Sequence, residues 1–159
     1  MQTIELQAQP LTAEAFKPFG QVLRPQHDGK PFDETDAQLK LDGGIPRFYI
    51  MQLKRKGTRF DKITRHLACT QCLGSLEGKE WLMAVAPPGK ASAPKPEEIK
   101  AFCIPGDCFI KLAVGTWHAG PYFETDVINF YNLELSDTNV VDHDTCSLKQ
   151  QYQTLFEIV

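Results

Sequence analysis

Ile63-Thr-Arg-His-Leu-Ala-Cys-Thr-Gln-Cys-Leu73 is the stretch that decides the fold. Its β-branched and apolar residues favour an extended strand, in which successive side chains point to opposite faces of a sheet. Thr64 and His66 therefore share one face, and Arg65 takes the other. A second stretch, Ala113-Val-Gly-Thr-Trp-His118, places another histidine at the expected start of a later strand. Two strands that each carry a histidine indicate a polar site within an otherwise apolar β-structure.

The rest of the chain repeats this pattern. Short runs rich in β-branched and aromatic residues alternate with turn formers such as Asp42-Gly-Gly44, which is typical of an all-β sandwich or barrel. The predicted strands cover residues 46–53, 63–73, 81–86, 101–104, 108–114 and 126–135. We expect only one or two short helices, because Thr12 can cap a turn that reaches Phe16, and apolar residues recur at helical spacing between Leu148 and Phe156.

Length and charge exclude several classes of protein. A chain of 159 residues with 42% hydrophobic side chains suits one domain, so we expect a single domain over residues 1–159. The net charge is -3 and the basic residues are scattered, so no nucleic-acid partner is expected. No segment approaches the roughly 20 apolar residues that cross a bilayer, and the first residues do not resemble a secretory signal. We therefore expect a cytoplasmic protein that does not bind membranes.

The five cysteines are expected to be reduced. An odd number of cysteines without a secretory signal does not suit a full set of internal disulfides. Cys69 and Cys72 form a C-x-x-C pair, but Cys103 and Cys108 have the wrong spacing for the second half of a zinc ribbon. We interpret these thiols as small residues in or near the core.

The histidine spacing resembles the two cupin motifs. In the first motif, H-x-H-x(4)-E-x(6)-G, the second histidine, the acid and the glycine correspond to His66, Gln71 and Gly78, with Thr64 in place of the first histidine. The second motif, P-x-G-x-x-H, is matched by Ala113-Val-Gly-Thr-Trp-His118, with alanine in place of proline. The resemblance implies an all-β, cupin-like double-stranded β-helix barrel with both histidines at its mouth.

Longer stretches resemble the ureidoglycolate lyases. Leu11-Thr-Ala-Glu-Ala-Phe-Lys-Pro-Phe-Gly-Gln-Val22 is similar to the opening segment of that family, and Arg65-His-Leu-Ala-Cys-Thr-Gln71 resembles its R-H-x-x-x-T-Q stretch. Its later elements are matched, in the same order, by Ile99-Lys-Ala-Phe102, Gly115-Thr-Trp-His118 and Pro121-Tyr-Phe123. The family commonly has a second histidine after the Trp-His pair, and this chain has Ala119-Gly120 there instead.

This resemblance implies cleavage of ureidoglycolate to glyoxylate and urea, in the salvage of purine nitrogen through allantoin. Ureidoglycolate is a hemiaminal, so removing the proton of its hydroxyl while protonating the departing nitrogen releases urea. Histidine can perform either proton transfer near neutral pH. We therefore predict that His66 and His118 are catalytic and share the acid and base roles, whereas His27 and His143 lie in polar segments and are expected to be exposed.

Several other side chains are candidates for substrate binding. Gln71 is predicted to face the pocket together with the histidines. The substrate carboxylate could be held by Arg47, Arg65 or Lys111, although alternation turns Arg65 away from His66.

The last predicted strand offers two further candidates, Asn129 and Glu134. Alternation puts Asn129 with Tyr131 on one face and Asn132 with Glu134 on the other, so only one of these pairs can point inward. The sequence leaves open which pair does.

The expected chemistry needs no cofactor. A divalent metal could be weakly held by His66, Gln71 and His118, but an amide is a poor ligand for a transition metal, so we predict weak or absent metal binding.

Two alternatives to the lyase stay open, namely a cupin that binds or acts on a different small carboxylate, and a cupin without catalytic activity. A homodimer is expected, because open β-barrels commonly cover strand edges by pairing and the resemblance implies a dimer.

Overall fold

The structure is a computed structural model that describes residues 1–159, and it consists mainly of β-strands. Its strands are β1 (Gln2–Leu6), β2 (Ala8–Pro10), β3 (Gly20–Leu23), β4 (Pro46–Lys54), β5 (Arg59–Phe60), β6 (Lys62–Arg65), β7 (Gln71–Ser75), β8 (Gly78–Ala86), β9 (Lys100–Gly106), β10 (Phe109–Leu112), β11 (Trp117–Tyr122), β12 (Val127–Leu135), β13 (Asp144–Ser147) and β14 (Thr154–Ile158). Its helices are α1 (Ala13–Phe16), α2 (Thr138–Val141), α3 (Leu148–Tyr152) and one 3-10 turn (Pro96–Glu98).

Two large sheets form the body of the protein. One has the strand order β3-β10-β7-β12-β4, and the other has the order β13-β6-β11-β8-β9-β2. From β6 to β12 the chain crosses repeatedly between them, because β6, β8, β9 and β11 lie in the six-stranded sheet while β7, β10 and β12 lie in the five-stranded one. This winding, with antiparallel pairing, forms the predicted cupin-like double-stranded β-helix barrel.

The apolar core lies between these two sheets. Its fully buried members include Trp81, Phe102 and Phe130, and the short helix α1 contributes Phe16. A second apolar cluster covers the opposite face of the six-stranded sheet, where Trp117 and Ile63 pack against Phe156 of the small β1-β14-β5 sheet. The six-stranded sheet is therefore buried on both faces, and a side chain on it belongs to either the barrel interior or the outer cluster.

The prediction of a single strand over residues 63–73 is wrong. The extended chain stops at Arg65, at the end of β6, and resumes at Gln71 in β7, which belongs to the other sheet. Hydrogen bonds join the intervening backbone to distant residues. Gly115 donates its N–H to the carbonyl of His66, and the carboxylate of Asp142 accepts a hydrogen bond from the N–H of Leu67. The helical spacing between Leu148 and Phe156 predicted the C-terminal helix only in part, because α3 ends at Tyr152 and Phe156 lies in β14.

The structure has three short helices and a 3-10 turn where one or two helices were expected, and other local expectations agree with it. Thr12 caps α1 by accepting a hydrogen bond from the N–H of Ala15 (3.1 Å). All five cysteines are free thiols, and Cys69 and Cys72 are buried. None of the helices has the length and apolar composition needed to cross a bilayer.

Candidate functional site

His66 and His118 meet inside the barrel. His118 lies opposite Thr64 of β6 and opposite Val85 of β8, and Val85 belongs to the inner core. His66 follows the end of β6 on the same side as Thr64, as strand alternation requires. The centroids of the two imidazole rings are 5.0 Å apart. The structure thus brings together the two histidines that the sequence singled out.

Backbone carbonyls fix the tautomer of both rings. Nδ1 of His66 lies 2.6 Å from the carbonyl oxygen of Asp142, and Nδ1 of His118 lies 3.2 Å from that of Thr116. A carbonyl oxygen only accepts hydrogen bonds, so each Nδ1 carries the proton. In the neutral rings each Nε2 is therefore a lone-pair acceptor. The pair as it stands offers two proton acceptors rather than one acid and one base, which departs from the predicted sharing of roles.

Burial keeps both rings neutral near pH 7. Desolvation lowers the pKa of His66. The Asp142 carbonyl and the Gln71 side chain act in the opposite direction, because both favour the protonated ring, but desolvation is the larger effect. For His118, desolvation and then the neighbouring charge of His66 lower the pKa to about 3. Since both shifts oppose protonation, both rings are neutral at pH 7 and each Nε2 keeps its lone pair.

A third histidine, His143, joins the pair. It is exposed as expected, yet its ring centroid lies 5.8 Å from that of His66, and its Nδ1 lies 3.3 Å from the hydroxyl of Thr145. Thr145 pairs with Thr64 across β13 and β6, and their hydroxyls are 2.8 Å apart. The sequence analysis missed this residue, because β13 was not predicted and nothing in the local pattern connects it with β6.

A cavity of about 380 Å³ opens beside these rings. His118, His143 and Thr64 line it together with three cationic side chains, Lys56, Arg59 and Lys62. Burial lowers the pKa of Lys56, while Arg59 is already paired with Glu157 at 3.1 Å. The sequence did not single out these cations, although alternation along β6 places Lys62 on the same face as Thr64 and could have found it.

The facing sheet contributes a buried amide and carboxylate group. Gln71 is directed inward, and its Nε2 donates to Oδ1 of Asn132 (2.9 Å) and, at 3.4 Å, to Oε2 of Glu134. Burial raises the pKa of Glu134, while Asn132 and the positive charge of Arg47 act in the opposite direction. Within this group, two buried atoms have no hydrogen-bond partner, Oε1 of Gln71 and Nδ2 of Asn132. One acceptor and one donor therefore stay unsatisfied next to the histidines.

The structure selects Asn132 and Glu134 as the inward pair of β12. Asn132 lies opposite Leu73, which belongs to the inner core, so Asn129 must point outward. Oδ1 of Asn129 accepts a hydrogen bond from the Gln52 side chain at 3.0 Å on the outer surface. The assignment of Asn129 to the substrate pocket is therefore corrected.

The predicted carboxylate-binding cations are dispersed. Lys111 lies opposite Cys72 on the outer face of β10 and donates to the carbonyl of Gln38 (3.2 Å), which removes it from the pocket. Arg47 faces inward, opposite Glu134, and its guanidinium carbon lies 3.6 Å from the centroid of the Tyr49 ring.

Arg65 has a structural role on the outer side of β6. It pairs with Asp144 at 2.7 Å, donates to the carbonyls of Gly89 and Ala91 at 3.0 Å, and lies over the Trp117 ring. This placement confirms that Arg65 faces away from the histidine pair.

The donor set does not fit a conventional transition-metal site. Nowhere are three or more His, Cys, Asp or Glu side chains gathered closely enough to hold a metal ion. The third member of the predicted weak site, Gln71, supplies a neutral amide whose nitrogen is already bonded to Asn132 and Glu134. We therefore derive no catalytic step through a metal.

Comparisons with known proteins identify the relatives of this chain. The family model described as Ureidoglycolate lyase matches residues 3–154. A ureidoglycolate lyase of Azotobacter vinelandii is 26% identical over 127 residues, which cover 71% of this chain and 74% of that protein. One from Burkholderia mallei is 28% identical over 130 residues, which cover 71% and 72% respectively. Among solved structures, oxalate decarboxylase from Bacillus subtilis aligns with 90% of this chain and 30% of its own, with 12% identity and a TM-score of 0.44.

Proposed function

Because the chain belongs to the ureidoglycolate lyase family, we propose that it cleaves ureidoglycolate to glyoxylate and urea. The observation that carries this proposal is the pair of neutral, inward-facing imidazoles of His66 and His118 beside a cation-lined cavity. Ureidoglycolate is a small anion with a reactive hydroxyl, so it needs both a proton acceptor and positive charge around it. The cavity supplies both.

The reaction is an elimination across the hemiaminal carbon. An Nε2 atom of the His66 and His118 pair takes the hydroxyl proton, and the oxygen electrons form the carbonyl of glyoxylate. The carbon–nitrogen bond breaks, and its electron pair leaves with the nitrogen, which takes up a proton to become urea. No cofactor is needed for this balance, since one proton is removed and one is delivered.

We assign the carboxylate of the substrate to the cationic side of the cavity. Lys62 is the best-placed cation, because it is exposed, lines the cavity and shares the face of Thr64. Lys56 is a second exposed cation that lines the cavity.

The ureido group suits the unsatisfied amides on the facing sheet. Urea nitrogens donate hydrogen bonds and the urea carbonyl accepts them, which complements the free Oε1 of Gln71 and the free Nδ2 of Asn132. Glu134 accepts from Gln71 and so helps to orient its amide. A buried polar group without a partner costs about 1–3 kcal/mol, so a ligand that satisfies both atoms gains affinity and specificity.

The test is to incubate the purified protein with ureidoglycolate and to measure glyoxylate, urea and ammonia. The lyase reaction yields glyoxylate and urea in equal amounts without ammonia, whereas hydrolysis of the terminal amide would release ammonia. His118→Ala should lose activity, and His27→Ala is the matched control because His27 is an exposed loop histidine. Failure to turn over ureidoglycolate, together with binding of another small carboxylate, would favour the alternative cupin function.

A homodimer is also part of this proposal. The outer face of the five-stranded sheet exposes Phe48 (64%) and Ile50 (55%) beside an entirely apolar groove of about 330 Å³. Contiguous exposed apolar surface marks interaction sites, and two-fold symmetric pairing of identical faces is the commonest solution. Light scattering should give a dimer for the wild type and a monomer for Phe48→Glu.

We also propose a cytoplasmic location, because free thiols suit a reducing compartment.

A further inference from the structure

We propose that His143 is the general acid that protonates the departing urea nitrogen. The proposal rests on the function proposed above. It starts from the fixed tautomers of His66 and His118, whose Nδ1–H groups are directed at backbone carbonyls. Neither neutral ring then presents an N–H to the substrate, and burial opposes a second proton on either. Other ionisable groups of the cavity can supply the proton for the leaving nitrogen, and His143 is the histidine among them that no carbonyl holds.

His143 has the position that this role requires. Its ring lies 5.8 Å from the His66 ring, and it lines the same cavity as His118. The residue is carried on the short connection between α2 and β13, and its neighbour Asp142 anchors that connection. The carboxylate of Asp142 accepts hydrogen bonds from the backbone N–H groups of Leu67 (2.8 Å) and Ala68 (2.9 Å). Anchoring at the adjacent residue holds His143 at the rim of the cavity.

The hydrogen bonding of His143 leaves its protonation free to change. Its one protein partner is the hydroxyl of Thr145, 3.3 Å from Nδ1, and a hydroxyl can either donate or accept. The other ring nitrogen has no protein partner. No carbonyl locks this ring in a single tautomer, in contrast to the two buried histidines.

Exposure allows His143 to be reloaded after each turnover. Its ring is exposed at the rim of the cavity, so solvent can reach it directly. In the reaction the protonated ring gives its proton to the urea nitrogen as the carbon–nitrogen bond breaks. The ring returns to the neutral state, and the proton gained by the buried pair is released to water.

Chemical rescue tests this assignment. Replacing His143 with alanine leaves a gap at the solvent-facing rim, which free imidazole can enter. We expect His143→Ala to lower kcat for ureidoglycolate by about 10²-fold with KM changed less than about threefold, and added imidazole to restore activity in proportion to its concentration. His27→Ala, which removes the other exposed histidine, should keep wild-type kcat and show no response to imidazole.

Each result either supports or overturns the role of His143. A kcat within threefold of wild type, or a loss of kcat in a folded His143→Ala protein that imidazole does not relieve, would overturn it. If this variant does not fold, His143→Gln takes its place, and loss of kcat with unchanged KM is again required.

A separate measurement keeps this inference distinct from the proposed function. If the wild type does not cleave ureidoglycolate, the lyase function itself fails. His143 is then judged by binding of N-carbamoylglycine, which has the same carboxylate and ureido groups but lacks the hydroxyl. NMR signals of the His143 ring must shift on titration with this probe, and unchanged signals would remove His143 from the site.

Discussion

Acidification should destabilise the protein through His118, and the size of the effect follows from its burial. An exposed imidazole in the unfolded chain titrates near 6.5, whereas the folded protein holds the pKa of His118 at about 3 because of desolvation and the neighbouring His66. Between these two values the unfolded state binds more protons than the folded state. The free energy of unfolding must therefore fall as the pH falls through 6.5 towards 3.

The loss at pH 5 depends little on the folded pKa, because at that pH the folded ring is still neutral. Each pH unit below the unfolded value corresponds to about 1.4 kcal/mol, so His118, which is partly buried beside the cavity, should remove up to about 2 kcal/mol of stability at pH 5. For a chain of this size, that loss lowers Tm by roughly 4–8 °C. His66 acts in the same direction, since burial also lowers its pKa.

The measurement is thermal unfolding of wild type and His118→Gln at pH 7.5, 6.5 and 5.0. The variant should lose less stability on acidification, so that the difference in Tm between the two proteins changes by about 4–8 °C between pH 7.5 and 5.0. His27→Gln, on an exposed loop, should follow the wild type at every pH. A wild-type and His118→Gln pair with parallel pH dependence would refute the inference that His118 is held neutral by burial.

Four further outcomes are expected. His66→Ala and His118→Ala should each lower kcat/KM for ureidoglycolate by about 10²- to 10⁴-fold in steady-state assays of glyoxylate. His66→Ala should in addition lower stability in urea unfolding, because this ring is buried and its loss leaves the Asp142 carbonyl without a side-chain partner. Asp142→Ala removes the acceptor for two backbone N–H groups and should cost about 1–3 kcal/mol by the same measurement. Elemental analysis of protein purified without chelator should find well under one equivalent of transition metal after dialysis, and a full retained equivalent would contradict the prediction.

Alternation along strands predicted much of the site. The placement of Thr64 and Arg65 on opposite faces of β6 follows from alternation, and the cupin resemblance indicated that the face of Thr64 is the inner one. Alternation also grouped Asn132 with Glu134, but it could not say which face of β12 was inside. That choice depends on the pairing of Asn132 with Leu73 in β7, a contact between residues far apart in sequence. Asn129 and Lys111 were misplaced for this reason, since each lay on a strand without a known inward neighbour.

Long-range hydrogen bonds explain what the sequence could not show. The sequence predicts that the strand continues past Arg65, because Leu67 and Ala68 are apolar, whereas β6 ends there in the structure. Their N–H groups are satisfied by the side chain of Asp142, which lies more than seventy residues further along the chain. The same contact carries His143 to the pocket. No local periodicity encodes it, and an Asp-His pair in a polar segment is usually solvated surface.

The Ala119-Gly120 segment follows His118 in β11 and lines the same cavity. Ala119 lies opposite Ala84 of β8 and belongs to the outer apolar cluster, so a larger side chain there would point into that cluster rather than towards His66. Gly120 has a φ of +123°, and a Cβ at that position would lie 3.2 Å from the Leu82 carbonyl oxygen, so a histidine is strained there as well. Neither residue brings a proton-carrying side chain to the cavity that both of them line. The ionisable side chains of the cavity therefore come from other elements, and the connection that precedes β13 brings His143 to its rim.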